Sequence, residues 1–218
     1  MFKKDYIMRM IEQVTAVLTQ VLALGNGRQY DEAFLLTSGT LRDLTGLGSA
    51  ALRQIPAEAL LDRLMMQDDL GWVETAVSIA TLLHQEGLLH AEKGNELAAY
   101  ESHQQALQIL LTTHQRRPDA DWPEMAPTIP SLLSYLDAII LTGETYAQLL
   151  RYFEEQGDYG RAEDALFTWR DALPDDGNAL ELGDDFYHRL LQKSDHDLEN
   201  GNLPRAEVRA GLADLTAD

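Results

Sequence analysis

A chain of 218 residues with a formal net charge of −19, 45% hydrophobic content and no cysteine carries enough apolar side chain for a sizeable core, which excludes wholesale disorder. Without thiols there are no disulfides, no thiolate nucleophile and no Cys-ligated zinc, a composition that suits the reducing cytoplasm, the expected location. A surface this acidic repels phosphate backbones and anionic lipid, so neither nucleic acid nor membrane is an expected partner, whereas a basic protein is.

The opening MFKKDYIMRMIEQVTAVLTQVLALG places Ile7, Met10, Ile11, Val14, Val17, Leu18, Val21 and Leu22 on one helical face, with Phe2 and Tyr6 beyond them. Arg9, Glu12, Gln13 and Gln20 interrupt the run at helical spacing. The segment therefore reads as an amphipathic helix rather than a signal peptide, and no stretch approaches the ~20 apolar residues of a membrane span. Gly25 and Gly27 supply the expected end of this helix. One neighbouring helix does not cover so long a stripe, which makes a homodimer the expected assembly.

A second helix runs from Tyr30 to Leu44 and stops at Gly46, and a third from Pro56 to Met66, with proline in its first turn. Trp72 to Glu92 carries Trp72, Ala76, Ile79, Leu83 and Gly87 along one stripe. Asn95 then caps a partner reaching about Thr113, with Ala99, Ala106, Leu107 and Leu110 facing back. The segment 116–130 holds Pro118, Pro123, Pro127 and Pro130 and cannot be regular helix. It is the candidate hinge in an otherwise single domain spanning 1–218. SLLSYLDAIIL is apolar nearly all round and predicts a central, covered helix. Helices over Glu144–Glu155, Tyr159–Ala172, Asn178–Glu199 and Leu203–Leu215 complete the chain. No strand is predicted, and the fold class is all-α.

A short corner recurs as NGRQYDEA, EKGNELAA, EQGDYGRA and ENGNLPRA, ending at Ala33, Ala99, Ala162 and Ala206, which are spaced 66, 63 and 44 residues apart. In each, glycine accepts the left-handed conformation that ends one helix, a polar residue starts the next, and alanine permits close approach. Two spacings are near twice the ~34-residue period of tetratricopeptide repeats. The chain resembles that family best at the third corner, through Tyr146, Leu149, Leu150, Phe153, Gly157, Tyr159, Ala162, Leu166, Trp169 and Pro174. Leu150 stands where the family favours a small residue and Trp169 where it favours alanine, so packing there is expected to differ. The second corner keeps Gly87, Gly94, Ala99 and Ala106 in register. The opening KKDYIMRMIEQ is also similar to a family of uncharacterised bacterial proteins that begin in this way. Together these resemblances imply an irregular array of antiparallel, tetratricopeptide-like helix pairs.

Chemistry-bearing constellations are sparse. His90 and His103 flank the second corner and are expected to face each other, with Glu86 or Glu92 the carboxylates near enough to join them. Asp184 and His188 share a helix face, but no third ligand has useful spacing. The acidic pairs 68–69, 154–155, 175–176 and 184–185 are adjacent residues that point about 100° apart and cannot flank one bond. There is no HExxH, P-loop, GxGxxG or GxSxG, so no catalytic residue, metal ligand or cofactor is assigned. In tetratricopeptide arrays the first helix of each pair lines a concave surface. That resemblance implies groove positions at Glu144, Ala147, Arg151, Glu154 and Glu155 in one pair and at Thr81, His84 and Glu92 in another. The expected function is a non-catalytic module that binds a protein or peptide. The rival is a noncanonical hydrolase or metal-dependent enzyme using His and Asp/Glu, which clustering of His84, His90, His103 and a carboxylate would favour.

Overall fold

The computed structural model describes residues 2–68 and 70–215, with side chains from residue 7 onward. Phe2 and Tyr6, expected to extend the first stripe, and Asp69 of one acidic pair therefore lie outside the described side chains. Among the described residues all regular structure is helical and no strand occurs, as the apolar periodicity requires. The chain divides into two compact units, 1–138 and 139–218. The boundary falls beyond the Pro-rich segment rather than within it.

The first unit holds α1 (Phe2–Asn26), α2 (Tyr30–Thr45), α3 (Ser49–Leu52), α4 (Ala57–Gln67), α5 (Trp72–Glu92), α6 (Glu96–Arg116) and α7 (Ile129–Leu133). Its centre is the α5–α6 hairpin, the most extensive helix pairing in the chain. α5 is apolar on more than one stripe: Val73, Val77, Ala80, Leu82 and Leu89 are buried along with Trp72, Ala76, Ile79 and Leu83. A helix buried that widely must be covered by several neighbours, and α1, α2 and α4 supply the rest of the cover. The corner turns on Gly94, with φ +78°, and the Asn95 amide donates to the His90 carbonyl at 2.8 Å. Asn95 occupies the position before α6, but its side chain makes no capping bond, contrary to expectation.

Met10, Val14, Val17, Leu18 and Val21 of α1 are buried against α2 and α5. Two helices rather than one cover much of the stripe, leaving Ile7 and Ile11 part-buried and Leu22 half exposed. Residues Ile7–Asn26 are nevertheless long and apolar enough to cross a membrane by length and composition. This corrects the sequence reading, because the polar breaks are mostly Gln, Thr and a lone Arg–Glu pair. α1 also runs through Gly25, whose missing Cβ lets Leu89 approach to 3.0 Å. The left-handed residue that ends the turn is Arg28, φ +57°, not either glycine.

Residues 117–128 contain no helix, as their prolines demand. SLLSYLDAIIL is the clearest departure. Instead of a central helix it gives only the five-residue α7, capped by the Thr128 hydroxyl accepting from the Ser131 amide, followed by turns. Leu132 and Leu136 plug into the core, while Tyr135 is exposed. The apolar run is thus a series of anchors, not one covered cylinder.

The second unit holds α8 (Gly143–Glu155), α9 (Tyr159–Ala172), α10 (Asn178–Leu191), α11 (Asp195–Asn200) and α12 (Arg205–Leu215). α8 pairs with α9 and α10 with α12 around Tyr146, Leu149, Phe153, Leu166, Trp169, Phe186 and Tyr187. Gly157 turns the α8–α9 corner at φ +71°, and Asp158 caps α9. Trp169, in place of a small residue, is accommodated because its indole N–H donates to Asp176 at 2.9 Å. The single helix expected over Asn178–Glu199 breaks at 192–194, where Ser194 caps α11. The Arg205 guanidinium satisfies the Leu191 and Lys193 carbonyls left free there. Of the corner alanines, Ala33, Ala99 and Ala162 are buried but Ala206 is exposed. At that fourth corner Asn202 takes the left-handed conformation, and Leu203, not Ala206, is the buried anchor.

Candidate functional site

In the second unit α8 and α10 border an open groove of about 580 Å3, lined by Leu150, Arg151, Glu154, Glu155, Gly157, Tyr159, Leu182, Asp185, Arg189 and Lys193. Helical spacing brings Arg151, Glu154 and Glu155 of α8 to this one face. Arg189 of α10 grips Glu154 through two parallel bonds, Nε to Oε1 and Nη2 to Oε2, each 2.7 Å. Such a fork–fork pair fixes both side chains more firmly than a single contact. Three of the five groove positions expected in this unit thus converge, and Ala147 is not among the lining residues. Glu144 is exposed at the start of α8 and is not among the lining residues.

The expectation for α5 fares differently. Thr81 is buried, its hydroxyl donating to the Val77 carbonyl at 2.7 Å, so it faces the core and no groove. Glu92 is exposed and lines a separate surface hollow with Gly25, Asn26, Arg28, Tyr30 and Lys93. His84 turns inward.

There His84 meets His103 of α6, Nδ1 to Nδ1, at 3.1 Å. Tyr135 packs on both rings, with centroids 5.3 Å from His84 and 4.6 Å from His103. Burial drives both imidazoles down to about 4, and for His103 the neighbouring His84 adds to the shift. His103 does not face His90, as expected from the sequence. His90 instead stacks on Phe34, centroids 4.3 Å apart, and its Nδ1 is buried without a hydrogen bond. Among the described residues no group of three His, Asp or Glu side chains could hold a metal ion. The juxtaposition of three histidines and a carboxylate that the enzymatic reading called for is therefore not formed.

A second polar cluster escaped the sequence reading. Glu86, one turn before His90, is buried. Its Oε1 accepts from the Thr37 hydroxyl at 2.5 Å and the Ser49 hydroxyl at 2.6 Å. Arg53 approaches its Oε2 at 3.6 Å and Glu101 at 3.5 Å. Burial raises the Glu86 carboxyl, opposed by the Ser49 and Thr37 bonds and by Arg53. The Glu86 carboxylate ties α2, α3 and α5 together, and Arg53 extends the cluster to Glu101 of α6, an arrangement that suits cohesion of the core. The signal that could have found it is a lone Glu between the buried Leu83 and Leu89.

His188 lies 3.3 Å from Asp184 on an exposed face, the solvated arrangement its spacing suggested. Neither a curated protein nor a solved structure matches this chain. The match to a family is complete in length, residues 1–218, and the chain belongs to the Family of unknown function (DUF6483).

Proposed function

We propose that this chain is a protein- or peptide-interaction module without chemistry of its own, and that the α8–α10 groove is its binding surface. One observation carries the reading: Arg151, Glu154 and Glu155 share a groove whose Glu154–Arg189 fork is already formed. Leu150, Leu182 and Tyr159 line the same groove. The lining is mostly charged, with these apolar side chains among the fixed polar groups, the mix found where recognition surfaces carry a polar rim. The tetratricopeptide-like reading supports the same surface, because α8 is the first helix of the pair turning at Gly157 and Ala162.

The lining balances Arg151, Arg189 and Lys193 against Glu154, Glu155 and Asp185. The partner segment we envisage therefore carries both signs of charge about an apolar side chain, in place of the uniformly basic partner suggested by net charge. The test is site-specific photocrosslinking in the native host, with a benzophenone amino acid at Glu155 or, as control, at the exposed Arg209. A discrete adduct from position 155 and none from 209 supports the reading. Equal adducts from both positions, or none from 155, would count against it.

A further inference from the structure

Two helices of one hairpin turn the Nδ1 atoms of His84 and His103 toward each other at 3.1 Å. Two nitrogens bound to a single ion at about 2.0–2.1 Å are themselves about 3 Å apart. Both rings are fixed before any ligand arrives. His103 lies over Gly87, where a Cβ would come within 2.4 Å of the ring, and Tyr135 covers both rings. We propose that His84 and His103 form a two-histidine site for a divalent transition-metal cation, with Cu2+ the tightest and water at the remaining positions.

The choice of ion follows from the donors. Imidazole suits copper, nickel and zinc, and among divalent first-row ions affinity peaks at Cu2+. Cu2+ also accepts a tetragonal set of two nitrogens and two oxygens. Burial keeps both rings neutral at ordinary pH, so protons do not compete for the lone pairs. No third protein ligand is present among the described residues, which leaves coordination positions for exchangeable water. His84 is only part-buried and Tyr135 is exposed, so the pair lies near the surface of its unit.

The free state sets the strength. One ring must donate Nδ1–H to the other. His103 Nε2 is buried without a partner, and a bare nitrogen there costs less than an unpaired N–H, so His103 is the donor. Cation binding shifts that proton from Nδ1 to Nε2 of the same ring, where it finds no acceptor. The site is accordingly weaker than a structural zinc centre.

The experiment is titration of the full chain with Cu2+, followed by calorimetry and electron paramagnetic resonance. One equivalent should bind, with hyperfine structure from two nitrogens. His84→Gln, at the part-buried member, should lower affinity by at least about tenfold. His188→Gln and His196→Gln, both exposed, should leave it unchanged. Absence of a stoichiometric equivalent, a signal from fewer than two nitrogens, or full binding by His84→Gln would overturn the proposal. The nitrogen count is read on the unsubstituted chain, so this outcome does not depend on any variant folding.

Discussion

Tyr187 donates its phenolic proton to Glu163 at 2.7 Å, joining α10 to α9 at a point where α12 has no side chain to offer. A Cβ on Gly211 would lie 2.2 Å from the Tyr187 oxygen and 2.6 Å from Glu163 Oε1. Gly211→Ala should therefore push the pair apart and destabilise the chain by about 1–3 kcal/mol. Urea unfolding measures it, and an unchanged midpoint would show that α12 does not press on this bond.

The same pair makes a pH-dependent prediction. Burial raises the Glu163 carboxyl, while the Tyr187 bond pulls it back. A carboxyl raised in the folded state contributes stability that is complete below its unfolded value of about 4.3. That contribution is lost as pH climbs through the higher folded value. Tyr187→Phe removes a donor to the ionised form, so its cost should be larger at pH 7, about 1–2 kcal/mol, than at pH 4. Equal losses at the two pH values would contradict the assignment.

The corner alanines separate two packing environments. Ala162 is buried, so Ala162→Leu should overpack the α8–α9 corner and cost about 1–3 kcal/mol. Ala206 is exposed, and Ala206→Leu should change stability by no more than about 0.5 kcal/mol. Thermal melts of the two variants side by side decide this. Equal shifts would return the fourth corner to the repeat pattern.

That contrast shows where the sequence was legible. The ends of α5 and α9 follow directly from Glu92–Gly94 and Tyr159–Ala172, because glycine corners and helical periodicity are local signals. The fourth corner misled because Asn202 accepts the left-handed conformation that glycine was assumed to hold, which moves the buried anchor to Leu203. The histidine pair misled through register. A hairpin that turns at Lys93–Gly94 brings together residues equally far from that point, and these are His84 and His103. The Glu86 cluster left only one local signal, a lone Glu between the buried Leu83 and Leu89, since its donors Thr37 and Ser49 come from other helices and only the tertiary fold brings them in.

Glu86 also yields a coupling prediction. Thr37→Val and Ser49→Ala each withdraw one hydroxyl from the same buried oxygen, and each should cost about 1.5–3 kcal/mol, the range for bonds to charged groups. Because the two bonds share one acceptor, the double variant should depart from additivity by at least about 0.5 kcal/mol. A double-mutant cycle by denaturant unfolding reads this directly, and strict additivity would mean the hydroxyls act independently.

The central claim is that recognition runs through the α8–α10 groove. Its most direct test is the affinity of the segment crosslinked at position 155, measured calorimetrically against the unsubstituted chain, Arg151→Glu and Arg209→Glu. Arg151 lines the groove, whereas Arg209 is exposed on α12 and is not among the lining residues. Losing a groove charge and placing its opposite there should weaken binding by at least about tenfold, or 1.4 kcal/mol, while Arg209→Glu stays within about twofold of the unsubstituted chain. Equal weakening by both substitutions, or by neither, would contradict the groove as the binding surface.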